Sequence, residues 1–324
     1  MSKAMLLGAP GGPEALSWED VADRAPTAGE VVVRHSAVGV NFIDTYYRSG
    51  LYAWPATPLV VGAEAAGVVE AVGPGVESLT IGDRVAYTTP LGAYCQRRLI
   101  AADRLVKLPD GVSDEIAATV MLKGLTVQYL VTSTFPVKAG DVVLVHAAAG
   151  GVGLLMGQWL KALGATTIGT VGSPAKAELA RDHGYDHVID YRSDDFVATA
   201  LGVTDGRGCD VVYDSVGRDT WVGSLKCLKK RGAFVSFGQS SGPIEGFSLS
   251  MLAQGGSLSA SRPMLFHFIE ERAELEARAA DLFARLASGA VTAEVRQRFP
   301  LAGAADAHRA LEGRATTGAS VLMV

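Results

Sequence analysis

The sequence predicts an α/β protein in two parts, a β-rich domain followed by a doubly wound parallel sheet with helices on both faces. Three observations point there. Short β-branched runs broken by Gly and Pro fill the first 110 residues. From Asp141 onward, strand-like and helix-like runs alternate. Where that alternation begins, Val142-Val143-Leu144-Val145 runs into a loop of small residues and then an amphipathic helix.

Along the chain, Gly29 opens the run Glu30-Val31-Val32-Val33-Arg34. Leu59-Val60-Val61 and Gly67-Val68-Val69-Glu70-Ala71-Val72 follow, the latter closed by Gly73-Pro74-Gly75. Further strands are expected at 83–87 and 104–108, where Pro109-Asp110-Gly111 ends the run. Such punctuation suggests a compact barrel or irregular sheet. The pattern then changes. Ser113 reads as an N-cap with Asp114 and Glu115 in the first turn, and helical spacing continues to Val131. Strands are expected at 142–146, 166–171, 187–189, 211–213, 233–237 and 257–260, with helices over 151–163, 174–183 and 220–228. Residues 269–288 read as a helix with a solvated charged face, and 320–324 as a strand able to return to the first domain. The division this implies is 1–124 with 266–324 for the first domain and 125–265 for the second.

Composition narrows the function. With 48% hydrophobic and 19% charged residues, global disorder is excluded. The 38 glycines show no collagen period, so they mark tight turns and close backbone contacts. A net charge of −5 argues against nucleic acid as partner and leaves room for one local phosphate pocket. Cys95, Cys209 and Cys227 are an odd set without a CxxC pair, which fits a reducing cytosol better than a disulfide framework. The opening Met1-Ser2-Lys3-Ala4-Met5-Leu6-Leu7-Gly8 lacks the apolar core of a secretion signal. The most apolar long stretch, 141–160, contains His146, Gln158 and several glycines, a poor membrane span. The chain reads as soluble and cytoplasmic, acting on a small molecule.

The sharpest motif is Ala148-x-Gly150-x-x-Gly153. Alanine stands where the usual first glycine would be. Gly150 and Gly151 let the backbone approach a pyrophosphate, and Gly153 lets the helix pack close to the sheet. The helix N-terminus offers free N–H groups and a positive dipole. A tight strand–helix turn without a ligand would need similar residues, but here strand, loop, helix and second strand all stand in order. An NAD site usually carries Asp or Glu at the end of that second strand. Thr170-Val171-Gly172-Ser173-Pro174-Ala175-Lys176 has a hydroxyl and a lysine instead. Lys176 can neutralise a 2′-phosphate, so NADPH is preferred over NADH.

Zinc chemistry lacks its donors. The three cysteines are scattered, and His35, His146, His183, His187, His267 and His308 show no metal-binding spacing. Each reads as a surface or satisfied core residue. Gly238-Gln239-Ser240-Ser241-Gly242 is not a nucleophile elbow.

At this point the chain resembles the medium-chain dehydrogenases/reductases, with a GroES-like catalytic domain and a Rossmann coenzyme domain. Within them it is most similar to the zinc-free NADPH:quinone oxidoreductase group that includes zeta-crystallin. The likeness rests on residues 41–52 (Asn41-Phe42-Ile43-Asp44-Thr45-Tyr46 and onward), on Lys123-Gly124-Leu125-Thr126, on His146 through Gly153, on Val212-Tyr213-Asp214-Ser215-Val216-Gly217, and on Arg231-Gly232 with Val235-Ser236-Phe237-Gly238. Zinc-dependent members carry a cysteine near Gly39–Asn41 and a Gly-His-Glu triplet. Here Asn41-Phe42 and Gly62-Ala63-Glu64 stand in those places.

The resemblance implies specific contacts. Phosphates would meet Gly150, Gly151 and Val152, and the 2′-phosphate would meet Ser173, Lys176 and Tyr191 beside Gly172. The nicotinamide end would meet Asn41, Phe42, Asp44, Thr126, Val216 and the Phe237-Gly238 loop, with Ser240, Ser241 and Arg314 nearby. Tyr46 and Tyr52 would line the substrate cleft, although packing at a domain edge would account for them equally simply. The family often forms dimers through sheet edges, and 257–260 offers such an edge.

The expected chemistry is hydride transfer from NADPH to a quinone between the domains. Reducing a ketone develops an alkoxide, whose conjugate acid is about as weak as water at pKa ~15.7. Reducing a quinone develops a phenolate-like anion, with a conjugate acid near pKa ~10. Delocalised charge needs only hydrogen-bond donors, which Asn41, Tyr46 and Tyr52 would supply. An NADPH-dependent enone or alkenal reductase satisfies the same logic. A non-catalytic NADPH-binding structural or RNA-binding protein is the alternative of another class, and the acidic balance weighs against RNA.

Overall fold

The computed structural model describes all 324 residues, Met1–Val324. Two compact units emerge: Met1–Leu125 with Ile269–Phe283 and Ala293–Val324, and Thr126–Phe268 with Ala284–Thr292.

The first unit begins with β1 (Ser2–Leu7), β2 (Ser17–Val21) and β3 (Glu30–Gly39). A short helix, α1 (Phe42–Arg48), leads to β4 (Leu59–Val60), β5 (Glu64–Val72), β6 (Arg84–Thr88), β7 (Arg97–Ala101), β8 (Val106–Lys107) and then α2 (Asp114–Tyr129). β1 lies between β2 and β4 in a small three-stranded sheet. Along β3, Val31 and Val33 point inward in strict alternation, and with Leu7, Val69, Val85 and Tyr87 they build the core. Gly29 opens the strand in the left-handed region (φ 79), which an L side chain there would strain.

Ser113 caps α2 as its sequence implied, its Oγ accepting from the Ile116 N–H at 3.3 Å. The helix widens into a π turn over Leu130–Thr134. Together, Asp114–Thr134 is long and apolar enough to cross a membrane by length and composition, with 78% of its apolar window buried inside the protein. The apolar stretch expected at 141–160 breaks into strand, loop and helix.

The second unit alternates β9 (Val142–Val145), α3 (Gly151–Ala162), β10 (Thr166–Val171), α4 (Pro174–Asp182), β11 (His187–Asp190), α5 (Phe196–Val203), β12 (Cys209–Asp214), α6 (Trp221–Lys226), β13 (Leu228–Ser236), α7 (Leu249–Gln254) and β14 (Ser259–Ser261). The strand order is β11-β10-β9-β12-β13-β14, all parallel. Counted from β9, this is the 3-2-1-4-5-6 order of a doubly wound dinucleotide fold. Its order reverses between β9 and β12, where such sheets open a crevice at the carboxyl ends of their strands.

After α8 (Leu265–Phe268) and α9 (Arg272–Ala287), the chain forms β15 (Val295–Pro300), α10 (Ala304–Glu312) and β16 (Ala319–Met323). β16 pairs antiparallel with β3, so the last strand does return to the first unit. The seven-stranded sheet there runs β15-β16-β3-β5-β6-β8, with β7 also on β3. The strand expected at 104–108 is mostly absent. A tight turn at Ala102–Arg104, closed by the Leu105 N–H to Ala102 O, leaves only two residues of β8. The expected 257–260 strand starts later, because Ser257 sits at φ 59.

Candidate active site

The glycine loop follows β9. His146 is buried beneath it, with Nδ1 2.9 Å from Thr170 Oγ1 and Nε2 3.0 Å from Ser224 Oγ. Ser224 Oγ also lies 2.9 Å from Asp214 Oδ2 and donates to it, so His146 Nε2 carries the proton towards Ser224. This is a satisfied core histidine pinning β9, β10, β12 and α6. Ala147 reverses the chain at φ 57. A Cβ on Gly153 would lie 2.4 Å from Ala147 O and 2.5 Å from Ala148 O, so only glycine lets α3 approach the loop. Gly150 occupies the N-cap without a capping side chain, which leaves first-turn N–H groups of α3 for an anion.

Beyond β10, Ser173 caps α4, its Oγ accepting from the Lys176 N–H at 3.4 Å, with Pro174 in the first turn. Tyr191 follows β11 and covers Gly172, where a Cβ would sit 2.5 Å from Tyr191 Oη. Its own N–H donates to Val171 O at 3.1 Å. Ser173, Lys176 and Tyr191 are thus gathered around Gly172, with no acid between Thr170 and Lys176.

A third loop cluster lies past β12 and β13. Asp214 accepts the Val216 and Gly217 N–H groups at 2.8 and 2.9 Å on one oxygen, and the Thr220 and Ser224 hydroxyls on the other. Phe237 N–H donates to Asp214 O, Ser240 N–H to Ser215 O and Ser241 N–H to Val216 O. A Cβ on Gly238 would meet Ser215 O at 2.6 Å. Val216 is thus fixed by the buried Asp214 carboxylate, and Phe237, Ser240 and Ser241 are tied to the same turn through the backbone carbonyls of Asp214, Ser215 and Val216, with Gly238 packed on Ser215.

The first unit holds a separate cluster at α1. Asn41 precedes the helix, and its N–H donates to Asp44 Oδ2 at 2.8 Å. Tyr94 Oη donates to the same oxygen at 3.0 Å, and His308 Nε2 lies 3.0 Å from Tyr94. Arg48 faces His308 Nδ1 and forms a forked ion pair with Glu312. Arg48 only donates, so His308 accepts from it and donates on towards Tyr94 and Asp44. Burial pushes Asp44 up to about 7, against the opposing pull of the Asn41 N–H, the Tyr94 hydroxyl and the Lys123 ammonium. Burial also drives His308 down to about 3, helped by the Arg48 charge. Asp44 has no exposed surface, so it grips Asn41 from behind.

Asn41 is held a second time. Its Nδ2 donates to Glu64 Oε1 at 2.9 Å, and Lys123 Nζ donates to that same oxygen at 2.6 Å. Leu122 N–H takes Oε2 at 2.7 Å. Gly39 is glycine because a Cβ there would lie 2.4 Å from Glu64 Oε1 and 2.2 Å from Ala118 O. On the helix itself, the Tyr46 ring lies 5.3 Å from Tyr52 and 6.4 Å from Phe42. The structure thus brings Asn41, Phe42, Asp44, Tyr46 and Tyr52 together. Thr126 is buried within α2, and Arg314 stands in the turn after α10 at φ 57.

Sequence reasoning missed Glu64, Tyr94, His308 and Lys123 as parts of one polar cluster. Nothing local signals them, since Tyr94 and His308 are 214 positions apart.

Zinc would need three or four converging donors. No three His, Cys, Asp or Glu side chains form such a group, Ala63 brings none, and both Glu64 oxygens are already taken by N–H donors. The residues present do not fit zinc.

A GroES-like unit and a six-stranded parallel sheet with this glycine cradle, carried on one chain, define a medium-chain dehydrogenase/reductase. Residues 27–137 match the alcohol dehydrogenase GroES-like domain, and residues 151–283 match the zinc-binding dehydrogenase model. The chain is 51% identical to the quinone oxidoreductase of Pseudomonas aeruginosa over 100% of both chains. The solved Escherichia coli quinone oxidoreductase complexed with NADPH superposes at a TM-score of 0.97 and 47% identity, covering 99% of this chain and 100% of that one. A 2-haloacrylate reductase from a Burkholderia species is 44% identical over 100% of this chain and 99% of its own length. The chain belongs to the quinone oxidoreductase family.

Proposed function

We propose that this protein is a cytoplasmic, zinc-independent NADPH:quinone oxidoreductase. The observation that carries the coenzyme choice is the grouping of Ser173, Lys176 and Tyr191 around Gly172, with no acid between Thr170 and Lys176. The N–H groups of Gly150, Gly151 and Val152 bind the pyrophosphate, and Ser173, Lys176 and Tyr191 bind the 2′-phosphate. Phe42, Thr126, Val216, Phe237, Gly238, Ser240, Ser241 and Arg314 receive the nicotinamide end. Bound there, NADPH supplies a hydride. The Asn41 amide and the Tyr46 and Tyr52 hydroxyls orient the quinone, and Asp44 fixes Asn41 by its backbone. Most of the rate gain then comes from orientation.

The deciding experiment is steady-state quinone reduction with NADPH and NADH side by side, with metal content measured on the same sample. A strong NADPH preference in metal-free protein supports this reading, and equal use of both coenzymes or stoichiometric zinc refutes it. The likeness to 2-haloacrylate reductase favours a second reading, reduction of a conjugated carbon–carbon double bond. Parallel assays with 1,4-benzoquinone and a simple enone separate the two.

The molecule is proposed to be a homodimer. β14 ends the parallel sheet, and all three of its residues are exposed, so one of its edges is open to pairing. Sedimentation at micromolar concentration tests this, and a monomer there removes the proposal.

A further inference from the structure

Lys123 and Glu64 form a buried ion pair, with side chains 7% and 0% exposed. Such pairs seldom stabilise a fold more than apolar residues of similar size would, because both charges must leave water. Stability alone therefore gives little reason for this one. Three details of its geometry suggest another use. Glu64 Oε1 receives two donors at once, Lys123 Nζ at 2.6 Å and Asn41 Nδ2 at 2.9 Å, so the two nitrogens are neighbours. The carboxylate cannot shift, because Leu122 N–H holds its other oxygen and the Gly39 backbone packs against it. An ammonium has three N–H donors and an amide nitrogen two. Each spends one on Glu64, and neither residue is fully sealed: the Lys123 side chain is 7% exposed and Asn41 as a whole residue 5%.

We infer that Lys123 and Asn41, clamped together by Glu64, form a two-donor anion site that stabilises the negative charge developing on the oxygen of a conjugated carbonyl substrate during reduction. Donors fixed before the reaction cost no reorganisation when the charge appears, and in a dry site they act strongly. Glu64 is the positioning residue. It holds both nitrogens without touching the substrate. The inference rests on the reductase reading above and names the groups that carry its electrostatics. Any acceptor whose incoming charge collects on oxygen fits the site, quinones and enones alike.

Two experiments test it. In the first, the unaltered enzyme saturated with NADPH is titrated with pentafluorophenol and with phenol at pH 8. The two differ little in size; the first is ionised, and the second, like tyrosine with a pKa near ~10, stays neutral. The inference expects the phenolate to bind roughly ten-fold tighter or better, as a charge-assisted hydrogen bond does. Equal binding of the two overturns it. In the second, Lys123→Met is combined with Glu64→Gln, so that no buried charge is left alone. The NADPH Kd should stay within about two-fold, while kcat for quinones falls by roughly 10² or more, the usual cost of losing an oxyanion donor.

That loss should grow along a series of substituted benzoquinones as the product phenolate becomes more basic, and the phenolate preference should vanish. A merely structural pair predicts a uniform loss across the series, and that result overturns the inference. The phenolate titration decides the matter even if the double variant does not fold. An unaltered enzyme that reduces no conjugated carbonyl at all refutes the reductase reading itself, a result distinct from all of these.

Discussion

At the scale of single residues, coenzyme choice turns on Lys176. Its charge stands one helical turn beyond Ser173, where an NAD-specific fold would carry an acid. Lys176→Glu puts a negative charge against the doubly charged 2′-phosphate and leaves the rest of the coenzyme alone. The expected outcome is a KM for NADPH raised roughly ten- to hundred-fold, with NADH changed by less than about three-fold. Steady-state kinetics with both coenzymes read the difference, and an equal loss for both would mean that Lys176 serves only the helix. Tyr46 and Tyr52 pose a similar question, since their rings already pack on each other. If their hydroxyls orient the quinone, Tyr46→Phe and Tyr52→Phe each lower kcat/KM by roughly 2–10-fold, the worth of a neutral hydrogen bond. Full activity in both variants would reduce the pair to packing.

At the scale of elements, α4 joins local chemistry to function. Ser173 caps it in extended conformation with its Oγ on the Lys176 N–H. Ser173→Ala should cost about 1 kcal/mol of stability through the lost cap, measured by urea unfolding, and also weaken NADPH but not NADH. A loss of stability without coenzyme discrimination would separate the cap from the proposed phosphate contact. Elements whose cause is local were legible in the sequence. β10 runs over Thr166–Val171 as its β-branched run implied, ended by Gly172, and α2 starts after its Ser113 cap. The glycine loop was equally plain, because its needs are met within twelve residues of chain. By contrast, α1 was seen only as a motif. Its seven residues carry three aromatic or β-branched side chains in its first four positions, and it is anchored by Arg48 to α10, 264 positions away. The polar cluster at Glu64 was hidden for the same reason. Lys123 and Glu64 are 59 positions apart, and no spacing rule joins a strand residue to a helix residue at that distance.

At the scale of the whole molecule, acid stability should be set by buried histidines. Burial drives His35 down to about 4 and His308 to about 3, and lowers His146 as well. His35 and His308 stay neutral in the folded protein until well below their unfolded value of 6.5. Between pH 6.5 and about 4 the unfolded chain therefore binds more protons than the folded one, and stability falls as pH falls. His35 and His308 each contribute about 1.4 kcal/mol per pH unit over that window. Asp44 works in the opposite sense. Its folded value is about 7 against 3.8, so between those limits the folded state holds a proton that the unfolded chain has released. Its share of stability is gained as pH falls, and it offsets one histidine. The expected outcome is a Tm that drops steadily from pH 7 to pH 5 at constant ionic strength. His35→Gln keeps a donor for Cys95 O and an acceptor for the Tyr87 hydroxyl, and should flatten the slope. Asp44→Asn removes the counterweight and should steepen it. These opposite changes are what distinguish buried titration from general acid swelling, since repulsion among surface charges would move both variants with the unaltered protein. A slope that neither variant alters would place the acid sensitivity elsewhere than in these buried groups.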